Sequence, residues 1–188
     1  MNTLFDIRRL LESHKRWLEM DPSGARMELY GGNLKNLDLT GAVLSESILN
    51  DTDLTGACLT SADLSGAELN GSVFDDADLT GAVLSKANLI GARFRNTKLR
   101  SVKAIRCDFS RADLRNADIS HAVMDGSLFV QCDLRNTSLQ ESSLARCLFD
   151  NAALYGISAT GASFNDSRGK DIDYSQNRDG SDLGDLKI

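Results

Sequence analysis

Apolar residues recur along this chain at a strict interval of five. From Leu29 to Phe164 every fifth position is Leu, Phe, Ile or Met, except Ala104 and Ala159. The register never slips over that span. With the apolar position as the centre of each unit, the residue two before it is mostly small, as at Ala42, Ala57, Ala62 and Ala67, with Ser, Thr or Cys elsewhere. In an extended segment residues two apart share a face. The small residue and the centre therefore point the same way, and the residue between them points outward. Five is odd, so a continuous strand would invert its faces at each unit. The chain must instead bend once per unit, always in the same sense. Glycine marks the bend: ten of the fifteen glycines lie two residues after a centre, and Asn36, Asn96, Asn116, Asn136 and Asn151 share that column. Gly and Asn tolerate the positive φ demanded at the third position of a type II turn. Each unit is predicted to be a short strand followed by a corner.

The units AVLSK-ANLIG-ARFRN and ADLSG-AELNG resemble the Ala-(Asp/Asn)-Leu-x-x motif of the pentapeptide repeat proteins, and the resemblance covers residues 27 to 164. It implies an all-β fold, a right-handed quadrilateral parallel β-helix, with four units per square coil and coils stacked through backbone hydrogen bonds. A period of twenty is supported independently, because Phe109, Phe129 and Phe149 are twenty apart, as are Phe74 and Phe94. On a four-sided helix these make two aromatic ladders. About seven coils at ~4.8 Å strand spacing give a rod of roughly 34 Å. The two exceptions compensate locally: Val102 occupies a normally small site beside Ala104, and Ile157 does so beside Ala159. Large and small have exchanged places, which conserves core volume.

A stacked β-helix exposes unpaired backbone at its ends and needs caps. Residues 3–20 offer one: Leu4, Ile7, Leu11 and Leu18 recur at helical spacing, flanked by Phe5, Leu10 and Trp17. Thr3 with Asp6 resembles a capping box, and Asp21-Pro22-Ser23-Gly24 stops the helix. This helix either caps the first coil or binds a partner. At the other end Ile172 and Tyr174 keep the register for one imperfect unit, after which a polar, Gly-rich tail is expected to be flexible. The expected organisation is a capping helix and linker over 1–26, the β-helix over 27–166, and a partial unit with tail over 167–188. Family members that dimerise do so in several cases through an apolar C-terminal helix. No such segment is visible here, so a monomer is expected.

Composition narrows the function classes. With 41% hydrophobic and only 6% aromatic residues, the core must be aliphatic and regular. The net charge of −6 disfavours direct nucleic-acid binding, which needs a basic footprint. No apolar run is long enough to span a membrane, and the N-terminus lacks a secretory h-region, so a cytoplasmic protein is expected. His14 and His121 have no second ligand at metal spacing, and no nucleophile elbow, P-loop or dinucleotide fingerprint occurs. Cys107, Cys132 and Cys147 fall at small inward sites and read as inert thiols; Cys58 points outward. The outward Asp residues (Asp53, Asp63, Asp78, Asp113, Asp118, Asp133) are accounted for by the motif's polar position. Neither a catalyst nor a cofactor is expected.

Charge is unevenly laid out. Residues 33–92 are acidic apart from Lys35 and Lys86, whereas Arg93, Arg95, Lys98, Arg100, Lys103, Arg106, Arg111 and Arg115 face only Asp108 and Asp113. The candidate partner surface is this belt, with Arg93, Arg100 and Arg111 around a column made by Arg95, Arg115 and Arg135, which are twenty apart. The column is either a solvated salt-bridge ladder with Asp113 and Asp133, or a site for an acidic partner, since Arg suits carboxylate or phosphate. The function expected is a rigid, non-enzymatic protein-binding scaffold of unknown partner. Two alternatives stay open: a DNA-mimicking binder of a type II topoisomerase such as gyrase, as the resemblance allows, and a secreted bacterial effector.

Overall fold

The computed structural model describes residues 4–173 together with Leu183 and Leu186. Every outward residue from Glu28 onward forms a parallel bridge to the residue twenty further on, Glu28 with Ile48, Asn33 with Asp53, and so to Ala153 with Asp173. One coil is therefore four units, and the chain is a right-handed quadrilateral β-helix. Its four faces are centred on the columns Leu29–Phe149 (face 1), Leu34–Leu154 (face 2), Leu39–Ala159 (face 3) and Leu44–Phe164 (face 4).

The unit Ala62–Gly66 shows how each unit satisfies its backbone. Asp63 N–H donates to Ala42 of the preceding coil (2.9 Å), while Leu64 and Gly66 N–H donate to Val83 and Ser85 of the next (2.7 and 2.9 Å). Ala62 N–H closes the preceding corner onto the Leu59 carbonyl (3.0 Å). The fifth N–H, on Ser65, has no backbone acceptor and is taken by the Asp63 carboxylate (2.9 Å). The same bond recurs at Asp38–Thr40, Asp78–Thr80, Asp108–Ser110, Asp118–Ser120 and Asp133–Arg135. The acidic residue before each centre thus has a structural task as well as a polar character, because an unsatisfied peptide N–H is costly.

Corners have the expected geometry. The column two after each centre has φ between 54° and 72°, with glycine at ten of these positions and Asn, Asp, Ser or a longer side chain at the others. Inside, the centres are almost wholly buried, and Phe74 stacks on Phe94 with 4.7 Å between ring centroids. Phe109, Phe129 and Phe149 stack at 5.2 and 5.0 Å. The two ladders are joined through a tilted Phe94–Phe109 contact at 5.9 Å, a geometry that aromatic quadrupoles favour. Inward Ser, Thr and Cys residues donate back to carbonyls of the preceding coil, as Thr97 does to Phe74 (2.7 Å) and Ser127 to Ala104 (2.7 Å).

The N-terminal helix, α1 (Leu4–Leu18), closes the first coil. Ile7 is buried, and His14, also buried, ties helix to coil. Its Nδ1 accepts from Met27 N–H (3.1 Å), so the proton sits on Nε2, which donates to the Ser45 carbonyl (2.9 Å). The helix stops through paired bonds from Met20 to Trp17 and Asp21 to Arg16, with Met20 in the left-handed region at φ 59°. The Thr3 half of the expected capping box lies outside the described residues, as does Tyr174. At the far end Gly169 takes a centre's place. A Cβ there would lie 2.9 Å from the Phe149 backbone and 2.5 Å from the Ile172 side chain, which packs on the core instead. The tail expected to be polar and flexible contributes two buried leucines, Leu183 and Leu186, to the core. A polar average hid two apolar residues able to gain from burial.

Three outcomes are expected. Ala104→Leu should cost roughly 1–3 kcal/mol by overpacking, and adding Val102→Ala should recover most of it; urea melts of single and double variants decide. Asp63→Ala should cost about 0.5–1.5 kcal/mol through the stranded Ser65 N–H, whereas Asp63→Asn, which keeps an acceptor, should melt close to the native protein. Burial holds the His14 imidazole below its usual value, against the raising effect of the Ser45 carbonyl. The folded state therefore binds fewer protons than the unfolded chain just below the ordinary histidine value, and stability falls as pH drops below about 6.5. Thermal melts from pH 7.5 to 5 should show that slope, and His14→Gln should flatten it.

Candidate functional site

Because outward residues twenty apart are neighbours, charge is set out in columns. On face 2 the column reads Asp75, Arg93, Arg95, Asp113, Arg115, Asp133, Arg135 from coil to coil. Arg93 pairs with Asp75, and Arg95 Nε with Asp113 Oδ2 at 2.6 Å. Arg115 grips Asp113 through Nε and Nη2 (both 2.8 Å) and reaches Asp133 (3.4 Å). Arg135 closes on Asp133 at 2.6 Å. The expected arginine column is therefore present, and each guanidinium in it faces a carboxylate of this chain. Arg100 lies on face 3, 3.5 Å from Asp118, next to the Lys98–Asp78 pair at 3.3 Å. Arg111 stands apart, at the corner between faces 1 and 2. The six arginines thus divide between two faces and a corner.

The ladder shifts its own members. Burial would raise the Asp113 carboxyl, but bonds from Arg115 and Arg95 together outweigh it and hold the group at about 2. The ladder's arginines move the other way: Arg115 and Arg135 are raised, first by the hydrogen bonds they donate to Asp113 and Asp133 respectively. Asp38 is lowered by the hydroxyl and then the N–H of Thr40. Burial pushes the Cys107 and Cys147 thiols up to about 12, and Cys132 well above its usual value. The outward Cys58 is lowered by the hydroxyls of Thr40 and Thr60. His121 lies 3.1 Å from Glu141. Among the described residues no group of three or more His, Cys, Asp or Glu is placed to hold a metal, and no helix is long and apolar enough to cross a membrane.

Cations outside the ladder gather elsewhere. Between residues 27 and 166, Lys86, Lys103, Arg106, Arg111 and Arg146 are the Lys and Arg side chains that form no ion pair among the described residues. Four of them, all but Arg111, line one open depression of about 380 Å³ on face 4 and its following corner, with Ile105, Asp125 and Gly126. Sequence reasoning placed Lys103 and Arg106 in the basic belt but did not connect them with Lys86 and Arg146. The signal was available: residues 86, 106, 126 and 146 are twenty apart.

A sequence profile for pentapeptide repeats matches in eight copies, over residues 28–60, 57–96, 92–129 and 127–166. The chain belongs to the pentapeptide repeat family. Similar solved structures include HetL, a family member involved in heterocyst differentiation regulation in the cyanobacterium Nostoc sp. strain PCC 7120. HetL is 23% identical, with 100% of this chain and 95% of HetL covered, at a TM-score of 0.39. A trypsin-treated variant of QnrB1, a plasmid-mediated fluoroquinolone resistance protein, is 18% identical over 87% of this chain and 91% of its own, at 0.47. A family member from the Arabidopsis thaliana thylakoid lumen is 31% identical over 56% and 70%, at 0.39. No curated protein matches the chain significantly. Function does not transfer through likenesses of this degree, since one fold hosts many functions.

The low Asp113 value has a consequence at acid pH. Its ionised form is favoured by folding, so this stability is present above about pH 4 and is lost as pH falls towards about 2. In melts from pH 5 to 2, Asp113→Asn should lose less stability than the native protein; an equal loss would show that the ladder contributes nothing.

Proposed function

We propose that this chain is a rigid, non-enzymatic protein-binding scaffold. The observation that carries the reading is where the polar groups go. Inward positions are filled by packed apolar side chains and by hydroxyls and thiols that donate to the preceding coil. Outward carboxylates are held by a neighbouring N–H or guanidinium. Catalysis needs convergent groups in a water-excluding concavity, whereas among the described residues the depressions beside Trp17, Arg111 and Arg106 are open to solvent. Fixed charges on a stiff surface suit recognition, because little side-chain freedom is lost on binding.

DNA mimicry of the kind that engages gyrase is the weaker reading. It requires an uncompensated row of negative charge, and on faces 2 and 3 Asp75, Asp78, Asp113, Asp118 and Asp133 each pair with a cation. Adding the protein to a gyrase supercoiling assay, with and without a quinolone, should leave activity unchanged; inhibition or protection would reverse the preference. Affinity capture with mass spectrometry should return a stoichiometric protein partner, and recovery of none across growth conditions would remove the scaffold reading.

A further inference from the structure

The corner after face 4 concentrates long cationic side chains: it carries three, whereas the corner after face 1 carries one, Arg111, and those after faces 2 and 3 carry no Lys or Arg. The corner after face 2 carries Asn36, Gly56, Asp76, Asn96, Asn116, Asn136 and Gly156, residue types that enter the left-handed region readily. At the equivalent positions after face 4 stand Lys86 (φ 65°), Arg106 (φ 58°) and Arg146 (φ 58°). Long cationic side chains occupy a conformation that favours glycine, and stack as like charges at ~4.8 Å per coil. The left-handed backbone is shared with other corners, as at Arg111, His121, Gln131 and Glu141, but the stacked like charge is particular to this one, and a cost kept in this way points to use. Gly126 interrupts the column between Arg106 and Arg146 and opens a notch, where a Cβ would lie 3.5 Å from Arg106 Cγ. Lys103 borders it from face 4, and no carboxylate of the described residues pairs with any of these four cations.

We propose that this notch is the docking site for a short acidic peptide stretch of a partner protein. The inference rests on the scaffold reading and gives it a surface and a chemistry. Three observations select a peptide. First, the cationic strip is short: from Lys86 to Arg146 is three coil steps, ~14 Å at strand spacing, about four or five extended residues. The same corner carries Glu46 before it and Asp166 after it, so a longer polyanion such as a nucleic acid would overrun onto negative charge. Second, Asp125 lines the depression and is held by Ser143 Oγ (2.6 Å) and Ala145 N–H (3.1 Å) through one oxygen. Its other oxygen can accept from a peptide N–H, a donor that every residue of a bound peptide other than proline carries. Third, Ile105 supplies an apolar contact among the cations, which suits an aliphatic side chain within the acidic stretch. The face 2 arginines are less suited, since an incoming carboxylate there must displace one already bound.

The test is a titration of the ¹⁵N-labelled full chain with the capped peptide EEIEE at low salt. Amide shifts should map to Ile105, Arg106, Gly126 and Arg146. Changing Lys86, Arg106 and Arg146 together to Gln should weaken binding by about tenfold or more, because charge complementarity supplies most of the attraction. Changing Arg95, Arg115 and Arg135 together to Gln should leave it within about twofold, because these cations are already paired with Asp113 and Asp133 and lie outside the notch. Gly126→Asn keeps a residue suited to positive φ while filling the notch, so it should retain the native melting temperature and lose affinity. Absence of shifts, shifts centred on face 2, equal loss in both triple variants, or stronger competition by inorganic phosphate or oligothymidylate would overturn the assignment. If a partner captured by the native chain is still captured by the Lys86/Arg106/Arg146 variant, the notch is wrong and the scaffold reading stands.

Discussion

Coil-on-coil pairing of the backbone is the interaction on which everything else here depends. A regular unit sends one N–H to the coil before it and two to the coil after it, and closes the preceding corner with a fourth. Such an arrangement works only if every coil contains the same number of residues, since one insertion would move every later side chain to a different position. The strict register from Leu29 to Phe164 is the sequence-level consequence. It also explains why the core can be built from so few residue types: leucine and phenylalanine repeat because the space they fill repeats.

The fifth N–H turns this geometry into a surface. Backbone pairing leaves it unmet, so a carboxylate or amide is wanted one residue before the centre, or on the coil before. That requirement spreads acid over the whole rod. Arginine on faces 2 and 3 then compensates carboxylates that the backbone has already recruited, and Asp113, held by its own peptide neighbour and by two guanidinium groups, is the clearest case. The basic belt of the sequence is in large part an answer to the fold's own acidity. What it leaves over, at the corner after face 4, is charge without an internal role.

The same logic bears on the ends. The first coil is closed by α1, whose His14 uses both ring nitrogens to satisfy backbone groups of the coils beneath it. A histidine that reads in the sequence as one polar residue on an amphipathic helix is thus the joint between cap and rod. At the far end Gly169 and Ile172 show the repeat giving way, with a side chain from the next unit occupying space that a regular centre would have filled.

By itself the sequence determined the unit, the corner and the inward column, because these are local: a period of five, a small residue and a residue tolerant of positive φ are each visible within one repeat. It also determined the exchange at Val102 and Ala104, whose compensation lies within two residues. The tertiary structure decided what depends on neighbours twenty residues away. It assigned each face 2 arginine to a carboxylate, gave the outward aspartates a peptide N–H, buried Leu183 and Leu186, and brought Lys86, Lys103, Arg106 and Arg146 around one glycine. Charge composition along the chain could show that a basic belt existed. Only stacking, which sets the partner of each charge across coils, could separate the cations that are neutralised from those that are not.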